Sequence, residues 1–142
     1  MPRKRFTHLL APSAELIASF IHSMPGRYID LDFDVKVGRG KDPGESFDMA
    51  TRRTAIQLSQ RRIDCVGFSA DRIDIIEITP SAGLTALGQM VAYPHLYNST
   101  FPQPLPIFAV LVTHEFKPDI QVIFDLLKIE YHLMPRPEPV TP

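Results

Sequence analysis

Two acids, Asp64 and Glu77, are the residues of this sequence best placed to do chemistry together. They stand in Arg62-Ile-Asp-Cys-Val-Gly-Phe-Ser-Ala-Asp-Arg-Ile-Asp-Ile-Ile-Glu-Ile-Thr79. This stretch reads as two β-rich runs, 61–69 and 72–79, separated by Ala70-Asp71 as a hairpin turn. A two-residue loop sets Ser69 opposite Arg72; counting back, Asp64 faces Glu77 and Arg62 faces Thr79. Directly opposed residues on one sheet face have Cβ atoms about 5 Å apart. Two carboxylates that close repel unless a cation or a shared proton lies between them. Ile, Val, Cys and Phe on both faces of the runs argue for central, buried strands. A bound divalent metal is the commonest reason to keep buried acids paired.

The elements that must position this pair follow from the rest of the chain. A helix is expected from Ser13, as its cap, to about Met24, where Pro25-Gly26 stops it; its apolar stripe is Leu16, Ile17, Phe20 and Ile21. Arg27 to Val37 alternates as a half-exposed strand. Ile29, Leu31, Phe33, Val35 and Val37 fall on one face, and Tyr28, Asp30, Asp32, Asp34 and Lys36 on the other. Gly38 to Gly44 reads as a flexible basic loop without the ending of a nucleotide-phosphate loop. A helix over about 46–60 carries Arg52 and Arg53, which with Arg61 and Arg62 form the densest positive patch and a candidate phosphate contact. After the hairpin, Pro80-Ser81 is expected to break the strand and Ser81 to cap a helix reaching about Tyr97, with Pro94 ending its regular part. Ala82, Gly83, Ala86 and Gly88 would let that helix approach a sheet closely, and Gln89 and Tyr93, four apart, share a face. A strand over 106–113, a helix opened by Pro118 and a short strand over 130–133 complete the string.

Composition narrows the field. The 142 residues suit a single α/β domain over 1–134, followed by a proline-rich tail, 135–142. A formal charge of −1 gives no global basic signal, so a nucleic acid would need a local patch. The single cysteine, Cys65, has no partner for an internal disulfide and sits where a small buried hydrophobe fits. Arg3-Lys4-Arg5 precedes no long apolar run, so neither a signal peptide nor a membrane span is expected, and the expected location is the cytoplasm or a particle assembled there. The five histidines show no metal-ligand spacing.

In order and in residues, the chain resembles the PD-(D/E)XK nuclease superfamily, whose core runs helix, three antiparallel strands, helix, fourth strand (αβββαβ) around a mixed sheet flanked by helices. Asp64 matches the acid of the family's second strand, preceded here by Ile63 where the family has proline. Glu77 matches the acid of the third strand, and Ile78 the position whose backbone carbonyl ligates metal. Gln89-Met-Val-Ala-Tyr93 resembles the Gln-x-x-x-Tyr signature of the RecB and lambda-exonuclease branch. The resemblance covers roughly residues 13–114. It implies Mg²⁺ or Mn²⁺ at Asp64, Glu77 and Ile78, with Gln89 and Tyr93 orienting the attacking water or a phosphate.

One departure divides the functional reading. The family's lysine, two residues after the second acid, is Thr79 here. Losing one preorganised transition-state contact typically costs ~10²–10³ in rate. Arg62, opposite Thr79 in the inferred register, or Lys36 would have to supply the charge. Two classes follow. One is a metal-dependent nuclease acting on DNA, weakened or intact. The other keeps the fold as a scaffold and contacts other protein chains in an assembly, such as a phage virion or a homo-oligomer. The alternating prolines 135, 137 and 139 suit an extended tail docked on a surface.

Overall fold

The computed structural model describes residues 11–138. The basic start at 3–5, His8 and the last residues of the tail lie outside them. The elements run α1 (Ala11–Ser23), β1 (Asp30–Val37), α2 (Met49–Ser59), β2 (Arg61–Phe68), β3 (Ile73–Ala82), α3 (Leu84–Thr100), β4 (Ile107–Phe116), α4 (Gln121–Leu126) and β5 (Glu130–Leu133). The strands form one mixed sheet in sequence order. β1, β2 and β3 pair antiparallel, and β4 and β5 add in parallel. The chain is therefore α/β, a five-stranded mixed sheet flanked by helices, in the expected order of elements. Among the described residues no helix is long and apolar enough to cross a membrane.

Helical spacing of apolar residues dictates which face each helix covers. Leu16, Ile17 and Phe20 of α1 bury against Cys65, Ile76, Ile78, Val110 and Val112 on one side of the sheet. On the other, Tyr93 and Tyr97 of α3 close over Val37, Ile63, Val66, Ile73 and Ile75. Ala86 and Met90 of α3 pack with Leu111 and with Phe124 of α4. Cys65 is buried, as a small hydrophobe in mid-strand should be.

β1 departs from its expected single-faced alternation. Leu31 and Phe33 join the α1 side, but Val35 and Val37 join the α3 side. Asp34 between them has φ of 55°. One left-handed residue rotates the strand by a pleat, and aspartate is among the few side chains that tolerate it. β2 makes the matching change, with Cys65 on the α1 side and Ile63 on the α3 side.

Several boundaries also move. Ser13 lies inside α1 instead of capping it. α2 begins at Met49, capped by the Asp48 carboxylate, which accepts from the Thr51 N–H at 2.7 Å. β3 runs through Pro80 and Ser81 to Ala82, and Gly83, not Ser81, precedes α3. Pro80 is tolerated because Ile78, two residues earlier, turns its N–H toward β2, where the ladder has already ended. The absent proline N–H therefore has no partner to lose there. Pro94 lies within α3, which continues to Thr100 over the buried Tyr97. Gly88 faces open space and does not help α3 approach the sheet.

The loop 38–44 is latched, not free. A Cβ on Gly40, at φ +65°, would lie 2.3 Å from the Ile56 carbonyl oxygen. Only glycine permits that approach. Gln60 donates to the Gly38 carbonyl at 2.8 Å, and Arg52 forks onto Asp42 at 3.0 and 2.7 Å. In the tail, Arg136 lies 2.6 Å from Glu115, an exposed pair that contributes little.

A second acid, Asp74, is fully buried on the α1 side of β3. It receives Arg27 at 2.9 Å, Tyr28 at 2.6 Å and Arg72 at 2.7 Å. Glu130 extends the cluster to Arg27 and His132, each at 2.6 Å. Burial works against the Arg27 charge, but its bonds to Asp74 and Glu130 hold its pKa above the ordinary value. The cluster ties the segment after α1 to β3 and β5. Removing one partner of such a group typically costs ~3–5 kcal/mol. Asp74→Ala should therefore lower the melting temperature by roughly 10 °C or more. A melt within a degree or two of the parent would show the cluster to be dispensable. Gly67 serves the same corner, since a Cβ there would meet the Tyr28 ring at 2.5 Å.

Candidate functional site

The expected register holds. Phe68 pairs with Ile73 and Cys65 with Ile76, which continues to Asp64 opposite Glu77. At that step the backbone ladder between β2 and β3 ends, and side chains take over its hydrogen bonds. Ile78 N–H donates to Asp64 Oδ2 at 3.0 Å, and Asp64 N–H donates to Glu77 Oε1 at 3.2 Å. The strands fork, and the two carboxyls occupy the fork. Each has a second oxygen beside the one its backbone donor engages. Strand geometry turns the N–H and carbonyl of one residue the same way, so Ile78 also presents its carbonyl toward β2.

Burial sets the electrostatics. Glu77 is 4 % exposed. Burial first, then the Asp64 carboxyl beside it, push its pKa up to about 10. Without a cation, Glu77 holds its proton at neutral pH. α3 brings Tyr93 to the same face; burial and the Glu77 charge raise the pKa of its phenol, while Gln89 and Arg61 pull it down. Gln89 Nε2 stands 3.5 Å from the Tyr93 hydroxyl. Asp64, Glu77, Gln89 and Tyr93 are thus brought together.

The expected cations are not. Arg62 follows the pleat change to the face away from Tyr93, where its Nε lies 3.7 Å from Asp34. Lys36, flanked by Val35 and Val37 of the Tyr93 cluster, alternates to that same outer side, opposite Arg62. The register from the hairpin turn fails for Arg62 because the ladder stops at Cys65–Ile76 and β2 changes face beyond it. Thr79 is half-buried, its hydroxyl 3.4 Å from the Ser81 carbonyl. Of the expected phosphate contacts, Arg52 is occupied by Asp42, while Arg53 and Arg61 are exposed.

The donor set suits a hard cation: two carboxylates and a strand carbonyl, all oxygen. Among the described residues no group of three or more His, Cys, Asp and Glu converges as a metal cage. Magnesium does not need one, since it keeps several waters and is commonly held by one or two carboxylates plus substrate phosphate. Asp64, Glu77 and the Ile78 carbonyl are the groups that would hold it.

The Asp74 cluster was not singled out from sequence. A charged residue within Ile-Asp-Ile-Ile signals a buried pair, and Arg72 is near in sequence, but Arg27 and Tyr28 lie far away along the chain. No protein-family model, curated protein or solved structure matches the chain.

Proposed function

We propose that the protein is a divalent-metal-dependent nuclease of the PD-(D/E)XK type, acting on the phosphodiester backbone of DNA with reduced power because Thr79 stands at the lysine position. The observation that carries this reading is the forked ladder, in which Asp64 and Glu77 replace backbone pairing beside Gln89 and Tyr93. The helix, three antiparallel strands, helix and parallel fourth strand support it. Bound Mg²⁺ or Mn²⁺ would supply Lewis acidity and a water of lowered pKa. Asp64 and Glu77 would grip the ion, and the Tyr93 hydroxyl and Gln89 amide would orient a phosphate oxygen or the water by hydrogen bonds. α3 excludes bulk water from the Glu77 side.

The test is metal titration with and without the pair. Mn²⁺ at millimolar concentration should raise the melting temperature, because an ion that binds only the native state stabilises it. Asp64→Asn should remove that rise and any nicking of plasmid DNA. Absence of a metal effect on the parent protein would remove the nuclease reading.

A specific observation favours a second reading. The Thr79 hydroxyl turns to its own strand, and Arg62 and Lys36 face away. A site that lost its cation would leave a scaffold for protein–protein contacts, in a phage particle or in a homo-oligomer. Such a protein would show neither metal stabilisation nor cleavage.

A further inference from the structure

We infer that Arg61, and not Arg62 or Lys36, is the cation of this site, and that it seats a phosphate oxygen of a nucleic-acid strand beside the acid pair. The inference rests on the metal-dependent reading for the identity of the ligand, but its geometry stands separately. Arg61 pairs across the ladder with Val37, whose side chain is buried in the cluster of Tyr93. Ile63, two residues on, lies in that cluster too. Alternation therefore puts Arg61 on the Tyr93 face of β2, at the start of the strand, three residues before Asp64 on the branch that has left the β2–β3 ladder. Arg62, between them, is turned to Asp34 at 3.7 Å.

The left-handed Asp34 decides this. Had β1 and β2 kept one pleat throughout, Arg62 would share the face of Asp64, as simple counting from the hairpin requires. The pleat change exchanges the two arginines. Burial and the Glu77 charge raise the Tyr93 pKa, and the Arg61 charge opposes them, as a guanidinium near that phenol should.

Arginine suits a phosphate seat and not the role of a base. Its planar fork matches two phosphate oxygens, and it remains charged at any working pH. The seat would hold the backbone so that one phosphorus lies over the acid pair. Glu77 and Asp64 would still have to bind the ion, so the two functions can fail separately.

The experiment measures binding of a short fluorescein-labelled single-stranded DNA in Ca²⁺ across a salt series. Arg61→Ala, Arg61→Lys and Arg62→Ala are compared with the parent, and all are checked by thermal melting. Loss of one phosphate contact on a single strand lowers the slope of log K against log salt by about 0.7. Arg61→Ala should lose that slope and weaken binding roughly five- to tenfold. Arg61→Lys should keep the slope, and Arg62→Ala should match the parent. A structural role alone would not change the slope. Parent-like slope and affinity in Arg61→Ala would overturn the inference, as would a parent that binds no DNA. Calorimetric titration of the parent with Mn²⁺ tests the acid pair independently. DNA binding lost in Arg61→Ala but no metal binding in the parent would keep the phosphate seat and remove the hydrolytic reading.

Discussion

Glu77→Gln should make the metal-free protein more stable, by an amount that grows with pH. The Glu77 pKa is about 10 in the fold against 4.5 ordinarily. Between those values the native state binds a proton that the unfolded chain releases. Its stabilising contribution is complete below pH 4.5 and is lost as pH rises toward 10. The slope approaches ~1.4 kcal/mol per pH unit for one proton. Glutamine mimics the protonated acid at every pH and removes this slope. Unfolding free energies from urea melts in chelator should nearly coincide for the two proteins at pH 5. By pH 8 they should be separated by several kcal/mol, on the order set by that slope. Parallel values across the range would mean that the fork does not desolvate Glu77. Mn²⁺ should reverse the ranking, because the ion replaces the proton on the parent and finds only half a site in the variant. Calorimetry in buffers of different ionisation enthalpy should show about one proton released per ion bound.

Thr79→Lys should raise Mn²⁺-dependent cleavage by roughly 10²–10³, the usual worth of one preorganised contact. Alternation puts residue 79 on the face of Glu77, one pleat further along β3. Thr79 is half-buried and its hydroxyl, among the described residues, makes the long contact to the Ser81 carbonyl, so the longer side chain displaces little. Two neighbouring carboxyls favour the charged ammonium. The variant should fold, and its gain should vanish when Asp64→Asn is added. No cleavage from either the parent or Thr79→Lys, with melting intact, would assign the fold to the scaffold reading. Cleavage by the parent that Arg61→Ala abolishes and Thr79→Lys restores would show the two cations to be interchangeable in charge though not in position.

The sequence by itself determined the order of elements and the pairing of the two acids. Both follow from short-range physics. β-branched runs, helical spacing of Leu16, Ile17 and Phe20, and the tight turn at Ala70-Asp71 act over a few residues each. A two-residue turn fixes register over the ladder it closes, so Asp64 and Glu77 could be placed opposite each other from counting alone. Gln89 and Tyr93 needed only the period of one helix.

Tertiary structure decided which cation faces the site. Counting from the turn holds while the ladder holds, and the ladder ends at Cys65–Ile76. Beyond it the pleat of β2 follows β1, and β1 turns at Asp34, a residue thirty positions away whose left-handed conformation nothing local requires. The same limit hid the partners of Asp74. Arg27 reaches it from 47 positions before, through packing of α1, and Glu130, brought alongside by the parallel addition of β5, joins the cluster through that arginine. Pro80 likewise stays in its strand only because β2 has already diverged. Local propensity predicts a break, and the neighbouring strand removes the reason for one.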